Sequence, residues 1–250
     1  MLILAYHRVN PEVRDGLSVS PTTLRTHVES LIGRGMEPVV LDEVLGVRPS
    51  DLPTRSFALT FHDGYQDNYF HALPVLDDLG VRATVYLVTS MIDSDQPFPW
   101  LRVTDAGFDE MDLHMTSEQI AAAAGTFTYG SHTVTHPMLS GLDIEAARRE
   151  IADSRAELEN RLSTPVRTFC YPAGDFSSET VELVREAGYE AAVVTPNRHI
   201  PETMLTLHRV GIYSHITPTL FAVKTSRAFA RAQQTSAFWA TRRTLSRRRR

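Results

Sequence analysis

Short apolar runs and amphipathic stretches alternate along almost the whole of this sequence, and that alternation limits the folds open to it. Leu2 to Tyr6, Phe57 to Phe61, Ala83 to Val88, Phe127 to Tyr129, Val166 to Tyr171, Ala191 to Val194 and Leu205 to Tyr213 read as core strands, with a short one at Val39-Val40. Between them, helical patterns run from a Ser20-Pro21 cap through Leu31, from Gln66 to Leu79, from Ser117 to Ala124, from Asp143 to Leu162, from Ser178 to Ala187 and from Thr217 to Ala232. Glu150 and Arg155 fall on the solvated faces of the longest helix. Strands alternating with helices predict a parallel sheet, and about seven of them predict a closed or nearly closed barrel. An open doubly wound sheet is the alternative. No G-x-G-x-x-G follows the first strand and no P-loop is present, which weakens a nucleotide-binding reading.

The chain has 250 residues, enough for one large α/β domain, and 42% of them are hydrophobic, enough for a sizeable core. We place the domain at 1–232 and read the Arg-rich stretch 233–250, with Arg242, Arg243 and Arg247 to Arg250, as a flexible tail. The net charge of −5 gives no support to nucleic-acid binding. Cys170, the only cysteine, rules out an internal disulfide and reads as a small buried hydrophobe. Met1 to Tyr6 is too short for a signal-peptide core and no run reaches membrane-spanning length, so a cytoplasmic protein is expected. Oligomeric state is not legible. Residues 91 to 116 interrupt the rhythm with Phe98, Pro99 and Trp100, either an aromatic platform for a sugar ring or loop packing.

In α/β folds the carboxyl ends of the strands gather ligands and catalytic groups. Those ends carry His7, His62-Asp63, His132 with His136, and Tyr171-Pro172. Two imidazoles four residues apart in Ser131-His132-Thr133-Val134-Thr135-His136-Pro137 can bind one ion from a helical turn or a tight loop. With Asp63 they make a two-His, one-carboxylate set that leaves positions open for water and substrate.

Thr60-Phe61-His62-Asp63-Gly64 resembles the T-F-D-D-G motif of the polysaccharide deacetylase family at every position but one. His132 to His136 is similar to a close variant of its H-[ST]-x-x-x-H motif, and Thr168 to Gly174 to its F-A-Y-P-x-G form. Ala5-Tyr6-His7-Arg8-Val9 and Leu207-His208-Arg209-Val210 resemble segments of the poly-N-acetylglucosamine deacetylase-like subgroup. The resemblance spans about residues 2 to 213. It implies a single-domain distorted (β/α) barrel and one divalent metal, Zn2+ first and Co2+, Ni2+, Fe2+ or Mn2+ as alternatives. By the same resemblance Asp63, His132 and His136 are the ligands, His7 is the general acid with His208 as a weaker rival, and Tyr171, Pro172 and Ala173 line the substrate site. The Ala173 N–H becomes a candidate oxyanion donor, and ordinary strand termination is the competing reading of Tyr171 and Pro172. The activity implied is N-deacetylation of an amino sugar or small acylated amide.

One position departs from the pattern. The family's base aspartate is replaced by His62, and Cys170 stands where common branches place an arginine that holds that aspartate. His62 is a working base with an ordinary pKa of about 6.5, or a third imidazole ligand, or the mark of a site that binds carbohydrate or a partner without hydrolysis. An arginine tether suits an anionic base and not an imidazole, so the two differences agree with each other.

Overall fold

The computed structural model describes residues 1–12, 15–101, 110–196 and 198–247. Eleven strands are present among them: β1 (Leu2–Tyr6), β2 (Arg8–Val9), β3 (Ser18–Val19), β4 (Glu37–Pro38), β5 (Ser56–Phe61), β6 (Ala83–Leu87), β7 (Phe127–Ser131), β8 (Thr168–Cys170), β9 (Ala191–Val194), β10 (Leu207–His208) and β11 (Val210–Gly211). The main sheet runs β10-β9-β8-β7-β6-β5-β1-β11, with β4 on the side of β5, and its pairings are parallel. The two ends of that order are consecutive in the chain. Leu207 and His208 pair with β9, Val210 and Gly211 pair with β1, and Arg209 stands between them with its amide on Val194 O. A single strand that changes partner at Arg209 thus nearly closes the barrel, as the alternation of elements predicts.

Period-two alternation sorts the strand residues into two layers. Leu4, Tyr6, Phe57, Leu59, Phe61, Val85, Phe169 and Tyr171 point outward and pack with the helices as the principal core. Ile3, Ala58, Tyr86, Cys170, Val193 and Leu207 point inward and form a separate apolar cluster inside the barrel. Continuing the inward parity toward the strand ends gives His7, Thr60, His62, His132 and Arg209. The barrel therefore has apolar filling below and a polar mouth above. Gly130 is inward as well: a Cβ there would lie 2.4 Å from the Tyr86 ring.

The helices are α1 (Pro21–Gly33), α2 (Leu73–Leu79), α3 (Ser117–Ala122), α4 (Ile144–Leu162), α5 (Ser178–Glu186), α6 (Pro218–Lys224), α7 (Arg227–Gln233) and α8 (Ser236–Arg247). Three details differ from the sequence reading. The short fourth strand sits at Glu37–Pro38, not Val39-Val40, because those residues align with the start of β5. The single helix expected over Thr217 to Ala232 is broken where Ser226 Oγ caps a new one by accepting from Phe229 N. The segment read as a tail begins as α8, where Trp239 is buried and donates to Gln233 O, while Arg248 to Arg250 lie outside the described residues. No helix among the described residues is long and apolar enough to cross a membrane.

Candidate metal centre and active site

Beyond β5 the backbone turns sharply. Gly64 N donates to His62 O over 2.7 Å with Asp63 at φ 66° between them, a γ-turn that holds the aspartate in a strained left-handed conformation. Gly64 follows at φ 79°, and a Cβ there would meet His114 and Leu87 below 3 Å, so only glycine completes this turn without displacement. The result aims the Asp63 carboxylate at the mouth of the barrel, where burial raises its pKa to about 7 and the Arg209 charge partly opposes the rise.

The His132 to His136 segment is a loop, which decides between the helical turn and the tight loop left open by spacing. Thr133 and His136 both have positive φ, 70° and 61°. A β-branched residue in that region is costly, and side-chain bonds hold it there. Thr133 Oγ1 donates to His132 O and accepts from His136 N. Glu150, expected on a solvated helix face, instead reaches over this loop and accepts from Val134 N, Thr135 N and Thr135 Oγ1 at 2.9, 2.9 and 2.6 Å. It was missed because its partners are loop amides with no sequence signature. Arg155 likewise packs over the Tyr189 ring and bonds Glu159.

These two turns bring Asp63 Oδ1 within 3.4 Å of His132 Nε2 and 3.6 Å of His136 Nε2. A tetrahedral ion with bonds of about 2.0–2.1 Å separates its N and O ligands by about 3.4 Å. The Asp63 oxygen is buried and has no hydrogen-bond partner. His132 Nδ1 lies 2.7 Å from Cys170 O, which can only accept, so Nδ1 carries the hydrogen and Nε2 keeps its lone pair. The donor set fits a divalent cation.

His62 faces a second group. Its Nδ1 lies 3.1 Å from His132 Nε2 and 3.6 Å from Cys170 Sγ, while its Nε2 is buried without a partner. The His7 ring lies flat against the His62 ring, 4.3 Å away and 8° from parallel. Burial first, then the Arg209 charge and the neighbouring imidazoles, push the His62 pKa well below its ordinary value, contrary to the expectation of about 6.5. Burial and Arg209 push His7 down to about 3. Two stacked imidazoles beside a guanidinium cannot both carry protons.

Arg209 is the residue that sequence reasoning missed. Its side chain is 1% exposed, donates to Thr60 Oγ1 at 3.2 Å and to Cys170 Sγ at 3.1 Å, and borders the same cavity as His62. Strand parity was the available signal: if Leu207 points inward, so does Arg209, and His208 points out. His208, the rival acid, does lie away from the cavity, its amide bonded to Glu202. Cys170 is buried as expected, yet its sulfur belongs to the polar mouth and not only to the apolar filling.

A cavity of about 500 Å³ opens over these groups, bordered by His7, His62, Asp63, His136, Ala173 and Trp100. Trp100 stacks 4.3 Å from His136 and donates Nε1 to Tyr65, so it is a wall of the site, whereas Phe98 beneath it is buried packing. Ala173, at φ 52°, and Gly174 lie at the cavity edge. Tyr171 does not: its outward parity buries the ring between Phe169 and Phe176, and its hydroxyl donates to Leu205 O. Pro172 is buried beside it and is not among the cavity-bordering residues, so strand termination describes both.

The family model described as polysaccharide deacetylase matches residues 50–192, more than half of the chain. The chain belongs to the polysaccharide deacetylase family. YxkH of Bacillus subtilis (strain 168), named for the same family, is 28% identical over 84% of this chain and 70% of its own length. Among solved structures, the Streptococcus pyogenes deacetylase PplD in complex with acetate superposes with a TM-score of 0.76 at 22% identity, covering 90% of this chain and 98% of its own. IcaB from Ammonifex degensii gives 0.71 at 21% identity, covering 94% and 97%. These likenesses establish the shared barrel.

Proposed function

We propose that the chain is a metal-dependent N-deacetylase acting on a small acylated amino sugar, with Asp63, His132 and His136 as metal ligands. One observation carries the reading: those three donors are spaced for one ion, and two of them, Asp63 and His136, border the same cavity as His62 and His7. A divalent ion held there would polarise the acyl carbonyl and lower the pKa of water bound to it, with Zn2+ the best match to two imidazoles and a carboxylate. The chain's own groups do the rest. His62 Nε2, neutral and without a partner, accepts the proton of the attacking water. The proton taken up by His62 returns to the departing amine through His7, which is stacked on it, neutral at rest and charged only in transit, and the Ala173 segment lies at the cavity edge as candidate oxyanion donor. Family membership supports deacetylation, and cavity size supports a small substrate: about 500 Å³ suits a one- or two-ring ligand. Phe229 and Gln233 from α7 and Lys224 from α6 wall in one side of it.

The alternative is a carbohydrate-binding relative without turnover. It is favoured by the low proton affinity of His62, which makes it a weaker base than a carboxylate backed by arginine. Metal content measured on the purified chain, together with acetate release from a panel of N-acetylated sugars and short oligosaccharides, separates the two. Stoichiometric zinc with acetate release supports the hydrolase. Stoichiometric zinc with saturable sugar binding and no acetate rejects it.

A further inference from the structure

His132 Nε2 belongs to two donor sets at once. Outward it meets Asp63 and His136. Inward, His62, His132 and Cys170 are all buried, and their donor atoms lie together as a nitrogen–nitrogen–sulfur triangle. Its edges are 3.1 Å between His62 Nδ1 and His132 Nε2, 3.6 Å between His62 Nδ1 and Cys170 Sγ, and 3.9 Å between His132 Nε2 and Cys170 Sγ. Metal–nitrogen bonds of about 2.0–2.1 Å and a metal–sulfur bond of about 2.3 Å, at tetrahedral to trigonal angles, give edges of about 3.3–3.6 Å and 3.6–3.8 Å. The triangle matches both ranges to within a few tenths of an ångström before any ion arrives.

We propose that His62, His132 and Cys170 form a second metal site, selective for the soft monovalent ion Cu(I), that cannot be filled while Asp63, His132 and His136 hold their own ion. Selectivity follows from the donors, since thiolate with imidazole favours soft cations. It follows also from charge. The Arg209 guanidinium donates to Cys170 Sγ from 3.1 Å, which offsets part of the burial that holds the thiol protonated but opposes a divalent cation beside it. The set has three donors and Arg209 beside the sulfur, which suits a trigonal ion. On binding, the Cys170 S–H proton passes to buffer as the sulfur–copper bond forms, and the His62 ring hydrogen moves from Nδ1 to the unpartnered Nε2 so that Nδ1 can bind; no electron is transferred. The triangle stands on its own residues, and only the mutual exclusion rests on the outer set of the proposed function. Copper bound inward would also occupy Nδ1 of His62 and take His132 from the outer ion, so Cu(I) inhibits by displacement.

The test is anaerobic titration of the full chain with Cu(I) against a chromophoric Cu(I) chelator, with bound zinc followed in the same samples. The wild type should take one equivalent of Cu(I) and release its zinc as it does so, and copper-edge X-ray absorption should resolve one sulfur and two nitrogen scatterers. Cys170→Ser should lower Cu(I) affinity by roughly 100-fold or more, beyond the 10–100-fold cost of a lost supporting group. His136→Ala, which touches only the outer set, should lose zinc and keep Cu(I). Zinc binding by Cys170→Ser reports that the variant is folded; if it fails to fold, the scatterers in the wild type decide. Equal Cu(I) affinity in a folded Cys170→Ser, or copper without a sulfur neighbour, overturns the site. Copper and zinc bound together in one molecule overturns the exclusion while leaving the zinc reading intact.

Discussion

Arg209 Nη2 donates to Cys170 Sγ across 3.1 Å, so the strand that closes the barrel sends a cation to the sulfur at the end of β8. That cation is almost fully buried, its two described hydrogen-bond partners are the neutral Thr60 Oγ1 and Cys170 Sγ, and its guanidinium lies over the Tyr86 ring. Burying a charge without an opposite charge in contact is costly. Arg209→Met keeps the stem and removes the charge, and Thr60 keeps its bond to Leu4 O. We expect the metal-free variant to melt at least as high as the wild type, by a few degrees for each 1–2 kcal/mol relieved at about this chain length. The acid limb of its pH–rate profile should move to higher pH, because one of the causes that lowers the His62 pKa is gone while burial, the larger one, remains. A lower melting temperature in scanning fluorimetry would show that Arg209 is structural.

In the proposed reaction His62 is the group that takes the proton of the attacking water. His62→Ala should keep its zinc, since the outer donors do not include His62, and lose acetate release by roughly 10²–10⁴-fold. His62→Asp places a carboxylate in the neighbourhood of Arg209, which can hold it as an anion. We expect that variant to release acetate at or above the wild-type rate. Unchanged turnover in His62→Ala would remove His62 from the mechanism.

Glu150 clamps the loop that carries His132 and His136, the two proposed metal-binding histidines, so its loss should act through the metal and not through the chemistry. In Glu150→Ala, two amides and a hydroxyl lose their acceptor while Thr133 and His136 must still hold positive φ. Zinc affinity should drop by roughly 10–100-fold, the cost of losing a group that orients ligands. At saturating zinc the variant should recover most of its turnover. Isothermal titration with zinc, paired with turnover at two zinc concentrations, separates this from a catalytic role.

The parts of the site legible in the sequence are those set by local pattern. An apolar strand followed by Asp63-Gly64, and two histidines beside Gly130 and Pro137, mark strand ends whatever the register of the sheet, and the barrel rule places them on one rim. What depends on contacts between distant segments was not legible. Arg209 enters the site because its strand switches partner from β9 to β1, an event of tertiary pairing, and the parity that turns it inward is readable only once Leu207 is known to face the barrel interior. Tyr171 was drawn toward the substrate by its place after a strand, but side-chain parity sends it to the outer core and puts Cys170 inside. The same parity could have been applied to the sequence, had the register of β8 been known.

Asp63 is a buried carboxylate whose Oδ1 has no hydrogen-bond partner, so in the metal-free chain its charge works against folding. Asp63→Asn is nearly isosteric and removes that charge. Above pH 7 the metal-free variant should be more stable than the wild type, with each unit of pKa displacement equivalent to about 1.4 kcal/mol. Added zinc should then raise the wild-type melting temperature, as expected of a ligand that binds only the folded state, and leave the variant unchanged. An equal zinc-induced rise in both would remove Asp63 from the ligand set.

His27 supplies a pH dependence separate from the metal. It lies between the Tyr6 hydroxyl, 3.1 Å from Nδ1, and the Phe221 ring, stacked 3.8 Å away. Burial lowers its pKa to about 4 in the folded chain, against about 6.5 unfolded. As pH falls below 6.5 the unfolded chain binds a proton that the folded chain refuses, so stability falls with pH across this window. The loss is complete below about 4, where both states are protonated, and its slope for one group is at most about 1.4 kcal/mol per pH unit. Other buried histidines add slopes of the same sign, so the quantity to measure is a difference. In His27→Gln the Tyr6 hydroxyl keeps a hydrogen-bonding neighbour but the titration is gone, and the fall in urea-unfolding free energy from pH 6.5 to 4 should be smaller than in the wild type. Parallel curves for the two proteins would show that His27 does not titrate on unfolding.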